Sequence, residues 1–345
     1  MPPSSRTGYE RFEFLSTLPP TRRQGQLALA TILISTLIFL IAVPFAKMPL
    51  GKVWAFIPAY QAALIVNDLI TAVLLFGQYA ILRSRSLQAL ASGYLFTALM
   101  ASVHALSFPG LFADSGLLSA GPQTTAWLYM FWHGGFPLLV VAYVLLANRS
   151  ESISPSGHAG GSILASIAAT VLAVCAFTLI ATVGQQYLPP IMRGNHYTPL
   201  MIGVVSSVWG LSLLALFSVA KRRTRTVLDL WLAVVLFAWL CDIALAAVLN
   251  GGRFDLGFYA GRLYGLLAAS FVLLVLLLEN GMLYARLVDT ATELDSAKQT
   301  AEEATRGRSP SWLGPRRCPL PPSPTGILQR LAGHHGPLSS GGRRR

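Results

Sequence analysis

Apolar residues in this chain fall in long, nearly unbroken runs. The alternating pattern of a half-buried strand is missing from them. Eight runs reach the ~20 residues that a helix needs to cross hydrocarbon: 26–46, 60–82, 87–107, 126–147, 163–184, 199–220, 227–249 and 259–283. Continuous apolarity selects helices over barrel strands, because a membrane strand would alternate. The first run is too long for a cleaved leader, and no small-residue cleavage site leading into a soluble domain follows it. The pattern predicts an all-α polytopic membrane bundle of eight transmembrane helices over 25–283, after an N-terminal arm of 1–24.

The last run does not stop cleanly. Leu283, Leu287, Thr290, Leu294, Ala297, Ala301 and Ala304 recur at steps of four and three, a heptad seam continuous with the final span. The stretch 284–306 therefore reads as a signalling helix that pairs in a parallel coiled coil, or as a solvated helix with no partner. A homodimer through this helix is the expected assembly. From Gly307 the chain turns rich in Pro, Gly, Ser and Arg with no helical period, so 307–345 is expected to be a disordered basic tail. The switch is abrupt enough to suggest an out-of-frame segment in place of an output module. His334 and His335 in that tail are read as incidental.

Composition agrees with a lipid environment. Of 345 residues, 54% are hydrophobic and 12% charged, with mean hydropathy +0.57. A soluble domain carries roughly 25% charge, so an ordinary cytosolic enzyme is excluded. The net charge is +12, yet residues 306–345 hold eight arginines and no acid. That placement favours a segment beside anionic lipid over a nucleic-acid partner. Lys and Arg in the short connections set the orientation. Arg83, Arg85, Arg149, Lys221, Arg222, Arg223 and Arg225 lie on one side, and Lys47, Lys52, Arg193 and Arg253 on the other. Both termini are thus expected in the cytoplasm. Trp54, Trp127 and Tyr129 read as aromatic anchors at the outer interface. Three cysteines without a CxxC pair indicate neither a disulfide framework nor a zinc site.

Ionisable groups at membrane depth are costly and mark function or a partner. Asp68, His104, His133, Asp242 and Arg262 stand out, with Asn67 and Gln61 near them. Counted from the ends of the runs, all fall in the outer half of the bundle. The expectation is one polar pocket, open to the outside, formed by Asn67, Asp68, His104, His133, Asp242 and Arg262. Each also has a plainer reading. Asp242 and Arg262 could lock a hairpin as an ion pair, with Asp255 as a rival partner for Arg262. His104 could reach the interface, and His133 could make a single interhelical hydrogen bond. Gly134, Gly135 and Pro137 beside His133 allow close packing or a kink. No cofactor is expected. The set His104, His133 and Asp68 could hold a transition metal, but two histidines without local spacing signal it poorly.

Several stretches carry a family likeness: LPPTRRQ (18–24), FIPAYQAALIVNDLITAVLLFGQY (56–79), ASGYLFTALMASVHALSFPGLF (91–112), GPQTTAWLYMFWHGGFPL (121–138) and RFDLGFYAGRLYGLLAASFVLLVLLLE (253–279). They resemble the fourth type of bacterial membrane-associated sensor domain, over about 18–279 and most strongly in the first four spans. In that family the sensor precedes a histidine kinase or a diguanylate cyclase, linked by a cytoplasmic helix. AKQTAEEATR (297–306) looks like such a linker. The resemblance implies a multi-pass protein of the bacterial inner membrane that relays an outer-side or in-membrane stimulus to a cytoplasmic signalling output. No catalytic motif accompanies it, so the chain as it stands is not expected to be an enzyme. The alternative is a transporter or channel, which would need an internal repeat and a polar path through the full thickness. Neither is visible. An intramembrane enzyme using Asp68 with a histidine would need a nucleophile that the sequence does not offer.

Overall fold

The computed structural model describes Phe14 and residues 17–149, 159–194, 196–222 and 224–307, side chains 305–307 excepted. The arm before Phe14 and the tail from 308, with its expected disorder and reading-frame origin, lie outside the described residues. Eight long helices follow in order: α1 (Arg22–Ala42), α2 (Phe56–Leu82), α3 (Arg85–Ser107), α4 (Thr124–Asn148), α5 (Ala159–Ala181), α6 (Pro199–Ala220), α7 (Val227–Ile243) and α8 (Leu256–Gly307). All eight are long and apolar enough to cross a membrane, α7 when counted with the six-residue π turn Ala244–Leu249 that continues it. Two short strands, β1 (Met192–Arg193) and β2 (His196–Tyr197), form an antiparallel hairpin between α5 and α6. Contacts divide the chain into two units, Met1–Tyr284 and Ala285–Arg345.

Local chemistry sets several of the boundaries. Thr21 and Gln24 form a reciprocal capping box at the start of α1, and Thr226 with Asp229 does the same for α7. Each box satisfies backbone N–H groups that the first turn leaves unpaired. Helix α2 starts at Phe56, four residues before the apolar run suggested. Pro58 sits in its first turn, where the missing N–H costs nothing.

Burial sorts the helices by depth in the bundle. On α1 only Ala28 and Ser35 are buried, and Leu33, Leu37 and Ile41 stand fully exposed. On α5 only Thr170, Val174 and Ala181 are buried. Lipid covers such faces. Helix α7 is buried on nearly every side from Val227 to Ile243, as an all-round apolar helix must be. Two sets of connections mark the ends of the bundle. At one end, Gln123 bonds the backbone of Ile191 and Met192, Pro49 bridges Asp255, and His196 bridges Gly252. At the other end, Tyr143 donates to Asp229 (2.7 Å), and Arg222 pairs with the same carboxylate.

Helix α4 contains Pro137. Proline lacks the N–H that would bond the carbonyl four residues back, which here is that of His133. The indole N–H of Trp239 on α7 donates to that carbonyl instead (3.3 Å). In hydrocarbon a freed backbone group must find such a substitute, so Pro137 converts an intrahelical bond into an α4–α7 tie. The two glycines before it differ in kind. A Cβ at Gly135 would lie 2.3 Å from the Phe96 ring, whereas at Gly134 it would meet Val208 at an ordinary 3.7 Å. Gly135 is thus where α3 and α4 close up. Gly135→Ala should destabilise the protein by about 1–3 kcal/mol through overpacking, and Gly134→Ala should stay within about 0.5 kcal/mol of the native chain. Thermal unfolding of the two variants in detergent checks the contrast.

Candidate functional site

The centre of the site is the carboxylate of Asp242 on α7, 1% exposed. His133 on α4, fully buried, places Nε2 3.0 Å from Oδ2. The Tyr129 hydroxyl donates to Oδ1 (3.2 Å). Tyr129 and His133 are four residues apart, so both project from one face of α4, and their rings stack at 3.7 Å. The far ring nitrogen of His133, Nδ1, lies 2.9 Å from the Tyr129 carbonyl. A carbonyl only accepts, so Nδ1 carries a hydrogen. One further proton then lies between Nε2 and Oδ2, whether drawn as imidazolium–carboxylate or as imidazole–carboxylic acid. Either way the unit is electrically neutral. From the third side Gly265 of α8 presents bare backbone: a Cβ there would stand 2.9 Å from Asp242 Oδ2 and 3.3 Å from the Tyr60 hydroxyl.

Next to this unit, toward the end carrying the β hairpin, lies a small cavity of about 30 Å³. His104, Thr125, Tyr129, Tyr197, Arg253 and Arg262 line it with Phe108 and Phe258. The Gln61 amide meets His104 Nδ1 at 2.6 Å, which leaves the other ring nitrogen for the cavity. Arg262 on α8 donates from Nη1 to the Phe258 carbonyl (2.9 Å). Its guanidinium lies 3.5 Å over the Phe258 ring and 5.7 Å over Tyr129. Arg253, in the loop before α8, donates to Thr125 Oγ1 (2.6 Å) and lies over Phe108 at 5.3 Å. Burial draws the Arg253 guanidinium below its ordinary pKa, and the nearby Arg262 charge adds to this. Tyr197 spends its hydroxyl on the Ala246 carbonyl inside the π turn (2.7 Å), and burial pushes that phenol up.

Not every expected member of the pocket joins it. Asp68 turns to α3, accepting from Thr97 (2.6 Å). Asn67 donates to Ser270 of α8 (3.0 Å). Both sit deeper than the cavity, about 10 Å below Gln61 at 1.5 Å per residue. The early start of α2 explains the misplacement, since four extra residues sink Asp68 by about 6 Å. The expected Asp242–Arg262 ion pair does not form, nor does Asp255–Arg262. Asp242 is held by His133, and Asp255 accepts from the Gly251 amide (2.9 Å). His133–Asp242 and Arg222–Asp229 are two ion pairs among the described residues. His104, His133 and Asp68 each have separate partners, and no three such side chains converge on a metal position among the described residues.

Thr125 and Tyr197 of the cavity wall escaped the sequence reading, as did Arg253, Tyr129 and Gly265 in their roles here. Arg253 counted as a loop charge, yet the loop folds back and partly buries it. Tyr129 read as an interfacial anchor, although its four-residue spacing from His133 was a visible signal. Gly265 acts through the side chain it lacks, and nothing in the sequence announces that. On this geometry Asp242→Ala should cost about 3–5 kcal/mol, because it leaves a buried polar partner uncompensated. The Asp242→Ala, His133→Ala double variant should fall short of the sum of the single losses by about 1–3 kcal/mol. Unfolding of the four species in one detergent gives that coupling.

Comparison with known proteins bears on what this arrangement serves. No curated protein and no solved structure matches the chain. A family model does: MASE4, described as a membrane-associated sensor, integral membrane domain, matches residues 52–284. The match begins after α1 and takes in the seven following spans and every residue of the cavity. With two-thirds of its length matched, this multi-pass chain belongs to the MASE4 family of integral membrane sensor domains.

Proposed function

We propose that the cavity between His104, Arg253 and Arg262 receives the stimulus, and that α8 carries the response away from it. The observation that supports this reading is that one helix holds both ends of the path. Arg262 lines the cavity near the start of α8. The seam residues Leu283, Leu287, Leu294, Ala297 and Ala301 lie farther along the same helix. A stimulus acts only by favouring one of two bundle arrangements over the other. Here the difference is a small slide or turn of α8 against the Asp242 unit, where Gly265 lets the two meet without an intervening side chain.

In this reading the cavity end faces outward and both termini lie in the cytoplasm of a bacterial inner-membrane protein, as the Lys and Arg distribution suggests. The seam pairs two copies of the chain. Its changed packing is read by a cytoplasmic signalling output of the histidine-kinase or cyclic-di-GMP-synthesising type. The membrane domain itself performs no catalysis.

The test is disulfide crosslinking in membranes. Leu287→Cys and Leu294→Cys are introduced one at a time after Cys175, Cys241 and Cys318 are replaced by serine. Both new thiols should link between subunits. Asp242→Asn, which disturbs the cavity from within, should change the linked fraction at least about twofold. An absence of inter-subunit linkage at both positions would refute transmission through a paired α8.

A further inference from the structure

The cavity holds more positive charge than its walls balance. Arg262 is 6% exposed and lines the space with one hydrogen bond, to a carbonyl. Arg253 lines it too, bonded to a neutral hydroxyl. Among the described residues neither guanidinium has a carboxylate within ion-pair distance. The nearest acids are spoken for: Asp242 shares its proton with His133, and Asp255 turns to the Gly251 amide. Two guanidinium groups side by side in a low-dielectric site repel one another and lose hydration. Their aromatic neighbours Phe108, Phe258 and Tyr129 offset part of this, but an aromatic face carries no net charge.

Two further groups on the wall, His104 and Thr125, also offer hydrogens. His104 gives one ring nitrogen to Gln61, so the nitrogen it has left carries the proton in the neutral ring. The Thr125 oxygen accepts from Arg253, and its own hydrogen is free to point elsewhere. A wall of donors and cations with no acceptor of matching charge is built for an anion. The space sets its size. A volume of about 30 Å³ is two or three times the minimum for one water. A halide or a flat oxyanion of three or four heavy atoms fits; a sugar acid or a lipid headgroup does not.

We propose that Arg253 and Arg262, with Thr125 and His104, form a binding site for one small anion of halide, formate or nitrate size. The anion lies between a loop and α8, so its arrival draws Arg253 and Arg262 toward a common centre. It thereby ties the loop to the helix that carries the seam. That it is the stimulus rests on the sensor reading above; that it binds does not.

Binding is tested on the full chain in lipid nanodiscs. Chloride, formate and nitrate are each exchanged for gluconate at constant ionic strength, and thermal unfolding is followed. At least one of the three should raise the melting temperature saturably, by about 3 °C at ten times its Kd. Arg253→Gln and Arg262→Gln should abolish that rise, and Thr125→Val should reduce it. Should Arg262→Gln not fold, Arg253→Gln carries the comparison, because its side chain sits in a loop and not in a span. The site is refuted if no anion gives a rise that Arg253→Gln lacks. The Leu294→Cys crosslink separates the two ideas. Anion binding with an unchanged crosslinked fraction leaves the site standing and removes the anion as stimulus. A crosslink that responds to the Asp242→Asn change, with no anion binding, keeps the sensor reading and removes the site.

Discussion

A carboxylate in hydrocarbon cannot stand alone, and the interior of this bundle is arranged around that constraint at Asp242. The group takes a shared proton with His133 and a hydroxyl hydrogen from Tyr129. Those donors come from one face of α4, so the choice of partner fixes how α4 turns against α7. Trp239 then bonds the His133 carbonyl that Pro137 released, which repeats the same helix pairing through backbone. Interhelical hydrogen bonds in membranes average only about 0.6 kcal/mol each. A hydrogen-bonded charge pair is harder to break, because losing one partner strands the other. The Asp242 unit therefore outweighs the scattered neutral contacts in setting helix register.

Polar groups elsewhere in the bundle come in separate tiers. The Asp68–Thr97 and Asn67–Ser270 contacts lie deeper than the cavity. Gln78 and Glu279 meet farther along α2 and α8 (2.9 Å). Tyr143, Asp229 and Arg222 close the opposite end. Each tier is a local set of contacts between neighbouring helices. A sensor needs only one local site and a helix that leaves it.

The helices were legible in the sequence because hydrocarbon imposes a simple requirement: twenty or so apolar residues in a row. That requirement says nothing about where a span begins to the nearest turn. The apolar run was counted from residue 60, whereas α2 starts at Phe56 with Pro58 in its first turn, and the difference placed Asp68 too near the outer end. Depth alone also cannot say which residues meet. His133 and Asp242 were placed at a common level and do touch, yet Arg262 at a similar level turns to aromatic faces. Arg253 was invisible as a half-buried group because its burial depends on tertiary structure. The loop is pinned by the Pro49–Asp255 bridge and by the Asn250 amide on the Gly252 carbonyl (2.7 Å). The family likeness was carried by long motifs around these same residues, so it survived such errors of geometry.

Helix α7 is fastened to α4 near both of its ends, by Asp229 to Tyr143 and by Asp242 to His133. Helix α8 meets its neighbours by other means: Arg262 lies over the Tyr129 ring of α4, Glu279 accepts from Gln78 of α2, and Ser270 and Tyr264 bond Asn67 and the Ser35 carbonyl. Mechanically, the twice-fastened α4 and α7 form a braced frame. Such a frame resists shear between its two members, so a pull on either helix is carried to both.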